Sequence, residues 1–347
     1  MMSCQLATYI ENIRQSGMSI YNNIEIGDPD LWIPTPELEE ILNSTMKGIP
    51  LYGLALRTRA KVVKEHICKA LGYPVPSSFK KTQPRFPGQF FDVYIQKSNN
   101  LQVWNEELSP TRRYVIIKVS DTDEIVKIKV VTGEALASLD TTGTLTHKYQ
   151  ARITIGNYDA ELITDLDTSA LEYSVNPNVN LSNNISPVDY PKSGELLPIK
   201  NIFNRLKNLI GITFPDVGYD QERNRGAALH RLVCEHLGYY SYRDDGRFPD
   251  IKHQLLEIKL QTSPTIDLGL VCPNSNDALD VPHIAGSQIQ HCDVRYAIFC
   301  AETDGKNVTL THLFLTTGEK FFTRFPQFQG RVLNKKLQIP LPHNFFN

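Results

Sequence analysis

Asp250, Glu257 and Lys259 are the residues of this chain whose types and spacing could do chemistry together. They lie in RFPDIKHQLLEIK, Arg247 to Lys259. Leu256, Ile258 and Leu260 alternate with Glu257, Lys259 and Gln261, which is the period of a strand, so Glu257 and Lys259 share its polar face. Six residues separate Asp250 from Glu257, enough for a short hairpin that would set Asp250 on the neighbouring strand. Two carboxylates and one ammonium would then converge. Carboxylates are hard oxygen ligands suited to Mg2+. Such an ion can polarise a phosphodiester and lower the pKa of a bound water, and a nearby lysine can orient that water or offset charge on a pentavalent phosphate. The same trio also suits a solvated strand face with an ordinary cross-strand ion pair, so the pattern takes its weight from its frame.

That frame is written twice. RTRAKVVKEHICKALGY (Arg57 to Tyr73) aligns without gaps on RNRGAALHRLVCEHLGY (Arg223 to Tyr239), sharing Arg57/Arg223, Arg59/Arg225, Cys68/Cys234 and the closing Leu-Gly-Tyr. RFP follows in each, at Arg85 and Arg247, and then DVYIQKS and EIKLQTS. RRYVIIKVSDTDEIVKIKVVTGE resembles VRYAIFCAETDGKNVTLTHLFLTTGE, and GTLTHKYQARI resembles GRVLNKKLQIPL, with Lys148 opposite Lys335. Matches in one order over about 100 residues point to a duplicated domain.

Each copy reads as a helix, a loop, then strands. Leu229, Leu232, Val233 and Leu237 fall at helical spacing, and Gly238 suits a left-handed C-terminal cap. TPELEEILNSTM predicts a helix with Thr35 as N-cap, IKNIFNRLKNLIGI one ended by Gly211, and HIAGSQIQHCD one carrying Ser287, Gln288 and Gln290. Ser174 to Pro198, rich in Asn, Ser and Pro, has linker composition. The expected class is α/β (α+β): two related halves, each a mixed sheet flanked by helices. The expected division is residues 1–44 an N-terminal helical extension, 45–165 the first repeat, 166–200 a linker and 201–347 the second repeat.

Composition excludes several classes. Hydrophobic residues make up 41% and charged residues 21% of the 347, as in ordinary globular chains. Lys and Arg number 36 against 38 Asp and Glu, so a nucleic-acid surface would be a local patch. The opening residues lack a basic region followed by an apolar one, and no apolar run reaches the roughly 18 residues of a membrane span. Cysteines 4, 68, 234, 272, 292 and 300 show no zinc-type spacing,. A reduced, cytoplasmic location without membrane contact is expected.

A helix ending in Leu-Gly-Tyr, a loop, Pro-Asp, and then Glu-x-Lys on an apolar strand resembles the PD-(D/E)XK nuclease superfamily, and within it the type II restriction endonucleases of bacteria. The short Asp-x6-Glu-x-Lys spacing is similar to that of the mismatch-repair nicking endonuclease group. The motif-bearing resemblance covers residues 220–263, extended to 342 by strand order. It implies a Mg2+-dependent enzyme, with Mn2+ able to substitute, that hydrolyses phosphodiesters in double-stranded DNA. Asp250, Glu257 and the Ile258 carbonyl become metal ligands, and Lys259 becomes the water-positioning or charge-stabilising group. A helix glutamate often joins such sites; Glu222 and Glu235 are the candidates, and Glu222 equally suits a helix-dipole partner.

Aligning RFP on RFP and IQKS on LQTS, with a three-residue deletion, sets Gly88 opposite Asp250, Asp92 opposite Glu257 and Tyr94 opposite Lys259. The first copy therefore reads as silent and suited to recognition. Lys80, Lys81 and Arg85, with His147, Lys148 and Arg152, mix charge and hydrogen bonding as DNA contacts do. Arg57/Arg223 and Arg59/Arg225 suit phosphate contacts or structural ion pairs, and Gln261 suits a DNA contact or a bond across the sheet. One site per chain leaves two cuts to a homodimer or to two sequential events, and modified DNA is a possible target. The rival readings are a repair or structure-specific nuclease of the same fold and a non-catalytic duplicated DNA-binding protein.

Overall fold

The computed structural model describes residues 4–104, 108–139, 149–156, 158–181, 184–216, 221–328, 336–342 and 344–346. The chain is mixed α/β and forms two compact units, residues 1–147 with 332–347, and residues 148–331. The first holds α1 (Cys4–Ser16), α2 (Thr35–Met46), α3 (Leu56–Ala70), β1 (Phe91–Gln96), β2 (Asn100–Trp104), β3 (Arg113–Val119), β4 (Ile125–Thr132) and α4 (Gly133–Ser138). The second holds β5 (Tyr149–Arg152), β6 (Ala160–Leu162), α5 (Ile199–Leu206), β7 (Thr213–Pro215), α6 (Gln221–Leu237), β8 (Leu256–Gln261), β9 (Thr265–Gly269), β10 (Arg295–Thr303), β11 (Asn307–Thr317), α7 (Phe321–Arg324) and β12 (Gln327–Phe328). β13 (Lys336–Pro340) belongs to the first unit, where it pairs antiparallel with β2.

In the first unit β1 runs parallel to β3 and β3 antiparallel to β4, with Asp92 opposite Tyr114. In the second, β8 runs parallel to β10 and β10 antiparallel to β11, with Glu257 opposite Tyr296; β6 and β7 extend this sheet beside β11. A smaller sheet orders β12-β5-β9. α1, α2 and α3 bury Leu6, Ile13, Leu38, Ile41, Val63 and Ile67 in one core with Val115 and Ile128. The first 44 residues are thus part of the first unit's core and not an appendage. α5 and α6 bury Ile202, Leu206, Leu229 and Val233 with Phe299 and Leu315.

α3 and α6 end alike. Tyr73 N–H donates to the Cys68 carbonyl at 2.9 Å, and Tyr239 N–H to the Cys234 carbonyl at 2.9 Å. Gly72 and Gly238 between them have φ of +84° and +94°. A left-handed glycine thereby satisfies the last carbonyls. The two differ in surroundings: a Cβ on Gly72 would stand 2.3 Å from the Ile10 carbonyl oxygen, one on Gly238 only 3.6 Å from the Arg205 side chain. Gly72→Ala is therefore expected to cost more than about 2 kcal/mol in urea unfolding, and Gly238→Ala only the roughly 1–2 kcal/mol of a strained backbone.

Three local expectations change. Pro34 takes the N-cap position of α2, with no side-chain cap bond, and Thr35 is already helical and buried; Pro36 in the first turn removes a donor the helix cannot satisfy anyway. Residues 284–287 form a tight turn instead of a helix, and Gln290 caps a short 3-10 turn through a capping box with Asp293; Ala285 and Gly286 both take positive φ, which a helix does not allow. The Asn/Ser/Pro-rich stretch 174–198 packs onto the second unit: Leu181, Leu196 and Leu197 are buried. Its few leucines outweigh its polar composition. No helix among the described residues is long and apolar enough to cross a membrane.

Candidate active site

The hairpin carrying Asp250 and Glu257 is shaped by its backbone. Ile251 and Leu256 exchange hydrogen bonds at 2.9 and 3.1 Å, closing a loop whose middle, Lys252–Gln254, is a 3-10 turn. Leu255 completes the reversal with φ of +47°. Residues flanking a bonded pair fall side by side. Asp250 N–H donates to Glu257 Oε2 at 3.2 Å, and Ile258 N–H donates to Asp250 Oδ2 at 2.8 Å. Lys259 Nζ reaches Glu257 Oε1 at 2.9 Å. The structure therefore brings Asp250, Glu257 and Lys259 together on one edge of the sheet. The N–H and C=O of one strand residue point to the same side, so the Ile258 carbonyl is directed to the side on which Asp250 lies.

Electrostatics here are unbalanced. Burial holds the Asp250 carboxyl well above the ordinary carboxylate range, and the Glu257 charge pushes it the same way. Lys259 and the Ile258 N–H oppose this but do not cancel it, and Asp244 adds to the upward push. Two acids crowd one lysine in a partly dry site, a donor set that a divalent cation would relieve. Among the described residues, no group of three or more His, Cys, Asp or Glu could hold a metal ion by side chains alone. A site here would need the backbone carbonyl or water to complete it.

The hairpin is clamped from beneath. Arg295, fully buried on β10, donates from Nη1 to the Gln254 carbonyl at 2.6 Å, from Nη2 to the Leu197 carbonyl at 3.2 Å and from Nε to Asp167 Oδ1 at 2.7 Å. Its own N–H donates to the Leu255 carbonyl at 2.8 Å. Gln254 Oε1 accepts from Leu197 N–H at 2.8 Å. Lys252, nearly buried, pairs with Asp245 at 2.9 Å, and the Tyr239 hydroxyl lies 2.8 Å from His253 Nδ1. Arg295 and Gln254 stand inside otherwise apolar or nondescript runs, and reading the sequence for chemistry overlooked them. A lone arginine within an apolar strand was the available signal.

A hairpin of the first unit closes by the same backbone bonds with other side chains. Phe86 and Phe91 exchange hydrogen bonds at 3.0 and 3.2 Å, Phe90 has φ of +47°, and Arg85 N–H donates to Asp92 Oδ1 at 2.9 Å. Arg113, buried on β3, donates to the Ile33 and Gln89 carbonyls. Arg85, and not Gly88, therefore holds the place that Asp250 holds in the second unit. Both hairpins have six residues between the paired positions, so no deletion is needed; the two RFP strings coincide in letters but not in place. Asp92, 3% exposed, is paired with Arg112 at 3.0 Å, and Tyr94 stands where Lys259 would.

The remaining candidates scatter. Arg225 makes two bonds to the buried Asp216, one of 2.8 Å from Nε, and Arg59 pairs with Asp123 through both terminal nitrogens at 2.8 and 2.7 Å. Both arginines thus sit in structural ion pairs. The side chains of Arg57, Glu222 and Arg223 lie outside the described residues, as do His147 and Lys148. Glu235 is exposed near the end of α6. Lys80, Lys81, Arg85 and Arg152 are exposed, and the Lys80 ammonium lies 4.7 Å from the Tyr21 ring centre. Gln261 is half-buried at the end of β8. No protein-family model, no curated protein and no solved structure matches the chain.

Proposed function

We propose that the chain is a Mg2+-dependent endonuclease acting on double-stranded DNA, of the type II restriction class. Its working site would lie in the second unit, and the first unit would be a silent copy produced by internal duplication. The observation supporting this reading is the convergence of Asp250, Glu257 and Lys259 at 2.8–3.2 Å along one hairpin, in an arrangement that leaves its acids short of positive charge. Asp250, Glu257 and the Ile258 carbonyl would hold Mg2+. Bound there, Mg2+ supplies Lewis-acid polarisation of a phosphodiester and a more acidic water.

The chain's own residues do the rest. Ile258 N–H fixes the Asp250 carboxylate, and Asp250 N–H fixes that of Glu257, so neither has to reorganise when substrate arrives. Lys259, held by Glu257, places an ammonium where charge develops on the phosphate. Arg295 sets the height of the hairpin without touching the substrate. One site per chain makes a homodimer or two successive nicks the route to a double-strand break.

The test is a digest of methylated and unmethylated plasmid with Mg2+, and with Mn2+ in its place, followed by sequencing of the ends. Cleavage at fixed positions that stops with EDTA supports the reading. Purified protein that binds duplex DNA but cuts neither plasmid sinks it.

A further inference from the structure

In the first unit the ground occupied by acids in the second is held by cations. Arg85 stands at the position of Asp250, by the matching backbone bond to Asp92. Lys64 on α3 stands at the position of His230 on α6 in the ungapped helix alignment. Its ammonium lies 4.4 Å from the Phe79 ring centre. Burial lowers the Lys64 pKa first, and the Arg85 charge lowers it further, so the two cations are close enough to repel. Arg112 occupies Asp92 at 3.0 Å within the protein. Where Asp250 adds a second acid to its hairpin, the first unit's hairpin thus carries Arg85 instead, and its one carboxylate, Asp92, is already paired with Arg112.

An unmet polar group lies beside Arg85. Among the described residues, the buried Thr82 hydroxyl has no hydrogen-bond partner, although the Thr82 carbonyl accepts from Arg85 Nη1 at 2.6 Å. A cation cannot settle here, because Arg85 and Lys64 would repel it. An anion with several acceptor oxygens can, meeting the guanidinium, the ammonium and the Thr82 hydroxyl.

We propose that the first unit's hairpin is a charge-inverted site, which binds a backbone phosphate of duplex DNA directly through Arg85 and Lys64 and without any metal. The place that would cut in one unit would thus hold in the other. The choice of DNA as the source of the phosphate rests on the proposed function.

Binding of a short labelled duplex to the full chain in EDTA, by fluorescence anisotropy over a salt series, tests this. Wild type is expected to bind. Lys64→Gln/Arg85→Gln is expected to bind at least tenfold more weakly. Its slope of log affinity against log salt should be smaller by about 2, since each phosphate contact contributes roughly 0.9. Arg85→Lys, which keeps the charge, should retain most of the affinity, which separates a phosphate contact from damage to the fold. No binding by wild type in EDTA, or a double variant with unchanged affinity and slope, overturns the proposal. The Mg2+ digest reads independently. A chain that never cuts but shows the double-variant loss keeps this site and loses the nuclease reading. A chain that cuts while the double variant binds like wild type keeps the nuclease reading and loses this site.

Discussion

Lys259→Ala is expected to lower Mg2+-dependent cleavage by roughly 10²–10³-fold, the usual loss when one preorganised electrostatic contact to a transition state is removed. Lys259 is partly exposed and pairs with Glu257 at the sheet edge, so folding should survive; a variant that cuts as well as wild type removes Lys259 from the site. Asp250→Asn carries the complementary expectation. It should abolish cleavage and yet raise stability in EDTA by on the order of 1–2 kcal/mol, the scale of relieving an unfavourable buried group. The sign follows from the raised pKa of Asp250, whose causes are burial and then the charge of Glu257. The native state keeps the proton longer than the unfolded chain, so wild type loses stability as pH rises from the ordinary carboxylate range to the raised value. The melting difference between Asp250→Asn and wild type should vanish in acid and grow towards neutral pH. An Asp250→Asn variant that melts lower than wild type at neutral pH would show the carboxylate to be satisfied as it stands.

Arg295→Met should be the most damaging single change to the second unit, costing at least about 3–5 kcal/mol, because it leaves a buried charge without its partner. Asp167, 4% exposed on its side chain, would lose the guanidinium, and the Gln254 and Leu197 carbonyls would lose their donors. Asp167→Asn/Arg295→Met should then cost much less than the two single changes added together, since the double change removes the stranded charge. Urea unfolding of the three variants measures this; strict additivity would mean that the arginine acts through its carbonyl bonds alone. Cleavage by whatever folded Arg295→Met remains should also fall, through misplacement of the hairpin.

Much of this geometry was legible because it rests on strong local signals. Strand alternation set Glu257 and Lys259 on one face, and the spacing of Asp250 fits a hairpin that its backbone bonds indeed close. Leu-Gly-Tyr read as a helix end because only glycine sits easily at positive φ there. Other features depended on partners far along the chain. Arg295 reaches Asp167 and Leu197, more than ninety residues away, and no window of sequence displays such a contact. The Asn-, Ser- and Pro-rich stretch read as a linker because composition averages over residues, while burial was decided by Leu181, Leu196 and Leu197 alone. The register of the first hairpin was misread for a related reason. Identical letters were given precedence over equal loop length, whereas the backbone conserves length, so Arg85 was set three places from the position it occupies.

The pairing of β13 with β2 gives the chain an unusual order of completion. The first unit begins at the first helix but takes its last strand from residues 336–340, after the whole second unit has been made. On the ribosome the second unit can close while β2 still exposes the backbone groups that β13 will satisfy, an edge open to wrong pairing. The unit proposed to hold DNA is thus started before the other and finished after it, and a stop codon shortly before residue 336 would reach across the sequence to damage a strand laid down more than two hundred residues earlier.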